Sequence, residues 1–250
     1  MAQKKPGRAQ SQRRGGRVPR NTLSRDTVVE AALTMIDSDG LEAVTMPKLA
    51  QRLGVGTMSL YRHVEDKEDL VAAVAERVMS GIRVPDGPVD DWEGRVVGYL
   101  RALRDAAVEH PALCRILADR GLTVGTVFDQ LEELHGILLT AGFSETGAVR
   151  SFYALLTYVF GFVIWELPRV QQQPAEAYTA SWNDSIDSLD PQEFPRLHAL
   201  RGPLTTTASP DQFEFGLNHL VRAIAPQPPH RASSGGRGTG RPSPQSRKPR

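Results

Sequence analysis

The chain has 250 residues, 40% of them hydrophobic and 24% charged, which is enough apolar material for one large domain or two small ones. Its one cysteine, Cys114, excludes an intrachain disulfide and a cysteine-built metal site, and fits a reducing compartment. The net charge of +1 hides a partition: residues 1–20 carry seven basic groups and residues 226–250 six, neither with an acid, so of 30 Lys+Arg only 17 face the 29 Asp+Glu of residues 21–225.

The first segment, MAQKKPGRAQSQRRGGRVPR, lacks an apolar h-region and does not read as a secretory signal. Residues 1–22 and 226–250 are rich in Gly, Pro, Ser and Gln with little apolar content, and read as a disordered basic arm and tail. Ser24 then caps a helix over about Arg25–Asp39, with Val28, Ala31, Ala32, Met35 and Ile36 on one side and Gly40 ending it.

The stretch TMPKLAQRLGVGTMSLYRHVEDK, residues 45–67, reads as two short helices, Met46–Leu53 and Thr57–His63, joined by Gly54–Val55–Gly56. Thr45 can cap the first, Pro47 is tolerated in a first turn, and Gly54 supplies a left-handed helix end. Leu49, Leu53, Val55, Leu60 and Val64 form the inward face, and Ala50 is small enough for a close crossing. Thr57, Met58, Tyr61, Arg62 and His63 are left outward. This is the pattern of a helix-turn-helix, whose second helix lies in the major groove of DNA. Asp66 caps a further helix running through Met79, and Gly81–Asp90, with Pro85, Gly87 and Pro88, is a connection.

Beyond it, Trp92, Val96, Tyr99, Leu100, Leu103 and Ala107 make one stripe of an amphipathic helix that ends near His110–Pro111. A short helix around Ala112–Ala118 follows, then one marked by Val124, Val127, Phe128, Leu131, Leu134 and Leu138 and closed by Gly142. Glu145–Leu167 is apolar all the way round, so it is expected to be buried on every side, with a partner subunit as the economical cover. Its longest apolar stretch, Phe152–Trp165, falls short of the roughly 20 residues of a membrane span, so a soluble, cytoplasmic protein with no membrane partner is expected. One short helix near Ala175–Leu189 and a last helix over Asp211–Ala225 complete an all-α reading.

Residues 24–79 resemble the N-terminal domain of the tetracycline-repressor family of bacterial transcription regulators in motif and spacing. The matching pieces are the A-A-L core of the first helix, D-G-L-E-A-V-T between the first and second, and L-Y-R-H-V closing the recognition helix. From about Trp92 to Ala225 the chain is similar to the C-terminal domain of the subgroup nearest the tetracycline repressor itself, through R-x-L-R-x-A-x-x-x-H-P-x-L and L-x-x-L-x-x-A-G-F-S. The resemblance implies a three-helix DNA-binding head with its connecting helix (residues 23–79) and a larger helical effector-binding and dimerisation body (residues 80–225). It also implies a homodimer whose two heads address a palindromic operator in double-stranded DNA.

On this reading Thr45, Lys48, Thr57, Met58, Tyr61, Arg62, His63 and Lys67 are the DNA-contacting candidates. Tyr61 can pack on a thymine methyl or a sugar, Thr57 and Met58 sit where base edges lie, and the others suit phosphate. Pro47 stands where the tetracycline repressor has a base-reading arginine, so the tetracycline operator is not the expected target. The head itself holds six Lys/Arg against ten Asp/Glu in residues 21–80, which leaves the basic arm as a possible phosphate-binding supplement or a mere solubilising leader.

The resemblance places an effector pocket among Tyr99, Leu103, Leu131, His135, Phe152, Tyr153, Leu156 and Phe160, each of which can equally be core. That lining suits a small hydrophobic or planar ligand. The dimer interface is assigned to Phe162, Trp165, Phe213, Leu217, Leu220 and Ile224. No cofactor, catalytic residue or metal site is expected. Glu132-x-x-His135 has the spacing of di-iron bundles but lacks the companion ligands, and Cys114 reads as packing, with oxidant sensing as the sharper alternative. Together these features read as a repressor released from its operator by a small molecule. The alternatives are a helical binding or enzyme module whose head serves assembly, and a regulator that senses no ligand.

Overall fold

The computed structural model describes residues 23–120, 125–171, 175–205 and 209–226; the basic arm and most of the basic tail lie outside them. Every regular element among the described residues is a helix. The head contains α1 (Arg25–Asp39), a 3-10 turn at Leu41–Ala43, α2 (Met46–Leu53), α3 (Thr57–Leu60) and α4 (Lys67–Met79). The body contains α5 (Trp92–Glu109), α6 (Ala112–Arg120), α7 (Gly125–Thr140), α8 (Glu145–Gln171), α9 (Ala175–Asp187), α10 (Pro195–Ala199), α11 (Arg201–Thr205) and α12 (Pro210–Ile224).

Local chemistry sets most boundaries. Ser24, Thr45 and Asp66 each accept a backbone N–H in the first turn of α1, α2 and α4, and each such cap contributes about 1 kcal/mol. Gly54 ends α2 in the left-handed region at φ 68°, where its own N–H and that of Val55 reach back to the last carbonyls of the helix. Asp91 and Ser209 cap α5 and α12 in the same way.

Two apolar clusters form the cores. One gathers Val28, Ala32, Ile36, Leu49, Leu53, Leu60, Val64 and Leu70 in the head, and the other joins Val96, Leu100, Leu103, Leu134, Leu138, Phe152, Leu155 and Val159 in the body. Helix α4 belongs to both: Leu70, Ala73 and Val74 face the head core, while Val71, Ala75, Val78 and Met79 face the body core. Two polar contacts also cross the joint, a His110–Asp37 hydrogen bond at 3.0 Å and an Arg115–Glu42 ion pair at 2.8 Å.

Several expectations need correction. The second helix of the turn motif is regular only over Thr57–Leu60, and Tyr61–His63 forms a tight turn that brings Val64 back to the Leu60 carbonyl. The short helices α10 and α11 come in addition to the one short helix expected near Ala175–Leu189. The long α8, for which a partner subunit is expected to complete the cover, is covered by its own chain on one face alone: Phe152, Leu155, Leu156, Val159 and Val163 are buried, while Tyr153, Ile164 and Trp165 are exposed, which is compatible with that expectation. It runs on to Gln171, and its 23 residues Glu145–Leu167 are long and apolar enough to cross a membrane by length and composition. What distinguishes it is its packing on α5, α7 and α12.

Candidate nucleic-acid interface and effector body

The DNA-contacting candidates gather on one side of the head. Leu49, Leu53, Leu60 and Val64 turn inward and anchor α2 and α3, so the residues between them are forced out. Thr45, Lys48, Met58, Tyr61 and Arg62 are exposed, and Thr57, His63 and Lys67 are half-buried. Met58 is 77% exposed and Tyr61 45%, a large apolar cost to leave in water on a helix whose other face is so well packed. The Thr45 hydroxyl accepts the Lys48 N–H at 3.4 Å, leaving its own proton to donate outward.

The far end of this surface is fixed by two residues that sequence reasoning missed. The Arg25 guanidinium donates to the His63 carbonyl at 2.7 Å and makes a fork with both Asp69 carboxylate oxygens, at 2.7 and 3.1 Å. Asp69 in turn accepts the Glu65 N–H at 2.9 Å. The Arg25 hydrogen bonds hold the Asp69 carboxyl below its ordinary range and raise the guanidinium. Forty-four residues separate the pair, so no local pattern announced it.

In the body, Tyr99, Leu103, Phe152 and Leu156 are buried in one cluster, with Leu131 and Phe160 packed at its edge. His135 meets the Phe152 ring edge-on at 5.3 Å and gives its Nδ1 to the Leu131 carbonyl at 2.7 Å. Tyr153 departs from the expected lining, because it lies on the outer side of α8. Burial pushes the Tyr99 phenol above its usual range and keeps it a neutral donor. Its hydroxyl already has a partner, Gln130 Oε1 at 3.0 Å. Burial also pushes the Cys114 thiol up to about 11, so it stays protonated and unreactive. Among the described residues no three His, Cys, Asp or Glu side chains gather as a metal site.

The interface candidates divide. Phe213 and Leu217 are enclosed within the chain itself, since α12 packs on α8 and α5: Phe213 stacks on Tyr158 at 5.7 Å and meets Phe162 edge-on at 5.3 Å. They are therefore core residues of one subunit. Gly216 allows that approach, because a Cβ there would collide with the Tyr158 hydroxyl, which donates to the Phe213 carbonyl at 2.9 Å. Phe162, Leu220 and Ile224 are half-buried, and Trp165, with Ile164 and Phe215, is exposed on the same two helices.

A compact helical head presenting an aromatic, thioether and hydroxyl row, continuous through one helix with a larger helical body, is the architecture of a DNA-binding transcription regulator. Residues 28–74 match the family described as "Bacterial regulatory proteins, tetR family", and residues 84–227 match the "Tetracyclin repressor-like, C-terminal domain". The chain belongs to the tetR family. It is 31% identical over 227 residues to the HTH-type transcriptional repressor DrrR1 of Streptomyces coeruleorubidus, covering 85% of this chain and 81% of that one. It is 32% identical over 211 residues to the class A tetracycline repressor protein from transposon 1721 of Escherichia coli, covering 81% and 91%. Among solved structures, the Streptomyces coelicolor protein ActR in complex with actinorhodin superposes with a TM-score of 0.73 at 29% identity, covering 82% of this chain and 96% of that one.

Proposed function

We propose that the chain is a homodimeric repressor that binds a palindromic operator and leaves it when a small hydrophobic or aromatic molecule enters the body. The observation that carries the reading is the exposed pair Met58 and Tyr61, with half-buried Thr57 beside them, on a head whose α4 is shared with the body core. DNA affinity and body occupancy are then coupled through one rigid element, and a ligand that favours another pose of α4 shifts the population away from the DNA-competent spacing.

Two further observations support the parts. The exposed apolar residues Ile164, Trp165 and Phe215 on α8 and α12 suit a two-fold interface, with Leu220 and Ile224 at its margin. ActR, a protein of similar fold, is solved in complex with actinorhodin, which supports a small-molecule effector here. Readout at Met58 is apolar, since a thioether makes only weak hydrogen bonds, and Tyr61 reaches sugar or phosphate with its hydroxyl. No catalytic role is assigned to any residue.

The test is the Tyr61→Ala variant, measured by anisotropy on a selected operator duplex. Specific affinity should fall about five- to 150-fold, the equivalent of one lost base or backbone contact at about 1–3 kcal/mol, with thermal stability unchanged. Undiminished affinity would remove Tyr61 from the interface.

A further inference from the structure

The C-terminal end of α4 is held by one side chain from another part of the body. Gln130, on α7 and 8% exposed, donates from Nε2 to the Met79 carbonyl at 2.8 Å and to the Ile82 carbonyl at 2.9 Å. Its Oε1 accepts the Tyr99 hydroxyl of α5 at 3.0 Å. This orientation of the amide is fixed by its partners: two carbonyls can only accept, so the nitrogen must face them. All four groups are buried, where an unpaired donor or acceptor is costly.

We propose that Gln130 is the positioning residue that couples the body to the DNA-reading head. It clamps the last turn of α4, and Tyr99 holds the clamp in register. The proposal deepens the reading of a ligand-released repressor and rests on it. Helix α4 is a single rod packed into both cores, so fixing its far end fixes the angle at which the head leaves the body. A molecule entering beside Tyr99 and taking up its hydroxyl would leave the Gln130 oxygen unpaired in an apolar surround. The amide would then have to turn, and the Met79 and Ile82 carbonyls, at and just past the end of α4, would lose their donor. The ligand class this selects carries a hydrogen-bond acceptor oxygen on an otherwise apolar frame.

The experiment uses the full chain, an operator duplex obtained by selection, and the variants Gln130→Leu, Gln130→Glu and Tyr99→Phe. Operator affinity should fall on the order of tenfold for both Gln130 variants at about pH 8, with dimer formation retained. The Gln130→Glu variant should recover toward wild type at about pH 5.5, because burial at this position raises a carboxyl and, once protonated, it can again donate to the Met79 or Ile82 carbonyl. Tyr99→Phe should give a smaller loss of the same kind, and it carries the test if a Gln130 variant fails to fold. Amide exchange should quicken at residues 79–84 and not elsewhere in the head. Wild-type affinity in folded Gln130→Leu, or losses that track melting temperature with no pH recovery in Gln130→Glu, would overturn the clamp. A wild-type chain that selects no DNA would instead overturn the repressor reading, and the exchange pattern at 79–84 would still decide the clamp.

Discussion

The head and the body are both helical, yet they place their polar groups in opposite ways. In the head, Thr57, Tyr61 and Arg62 face outward and the structural pair Arg25–Asp69 is partly in water. In the body, Tyr99, Gln130 and Glu166 point inward and are satisfied by protein groups. The difference separates what each half does with polarity. The head offers donors and acceptors to a partner, whereas the body uses them to fix how its helices meet. Removing an outward group of the head should therefore lower affinity with little change in stability, whereas breaking the buried ion pair of the body should lower stability first.

The largest effect should come from the buried body pair. The Arg104 guanidinium makes a two-pronged contact with the Glu166 carboxylate, which is 4% exposed, and lies 4.9 Å over the Phe213 ring. Arg104→Met leaves that carboxylate buried without its cation and should cost about 3–5 kcal/mol in denaturant unfolding. Adding Glu166→Leu should return most of the loss, because two apolar groups of similar volume can replace a buried pair. A double variant as unstable as the single one would break the comparison at its body end.

In the head the matching substitution should do much less. Asp69→Asn removes the Arg25 fork at a site where the arginine is 47% exposed, and screening by water limits the loss to about 0.5–1 kcal/mol at neutral pH. Because folding lowers the Asp69 carboxyl, its contribution is present above the ordinary carboxylate value of about 3.9 and is lost as pH falls through the lowered one. Wild type and Asp69→Asn should therefore converge in stability in strong acid. Melting curves that stay apart there would place the Asp69 effect outside its titration. The same substitution frees the His63 end of the recognition turn, so operator affinity should drop further than stability does.

The contrast also explains what was legible in the sequence. The head could be read closely, because its boundaries rest on short-range chemistry: the caps at Ser24, Thr45 and Asp66, the left-handed Gly54, and apolar spacing on α1 and α2. The recognition helix was read too long, since the Tyr61–His63 turn is imposed by Val64 and Arg25 from outside the segment. In the body, the stripe of α5 and the start of α12 came through. The partition of α8 and α12 did not, because apolar residues that face solvent and those that face the core look alike in a chain apolar on all sides. Phe213 and Leu217 fell on the wrong side for that reason. The polar contacts that set the joint carry no local signal at all: Tyr99 and Gln130 are 31 residues apart, and Arg101 and Glu214, which tie α5 to α12, are 113 apart.

The account stands on the claim that the head reads DNA as one half of a two-fold pair. The most direct measurement is selection from random duplex DNA with the purified full chain at near-physiological salt. An enriched palindrome, its half-sites centred about one helical turn or a multiple apart, is the predicted result. A folded protein that enriches no sequence, or only an unpaired half-site, would contradict it.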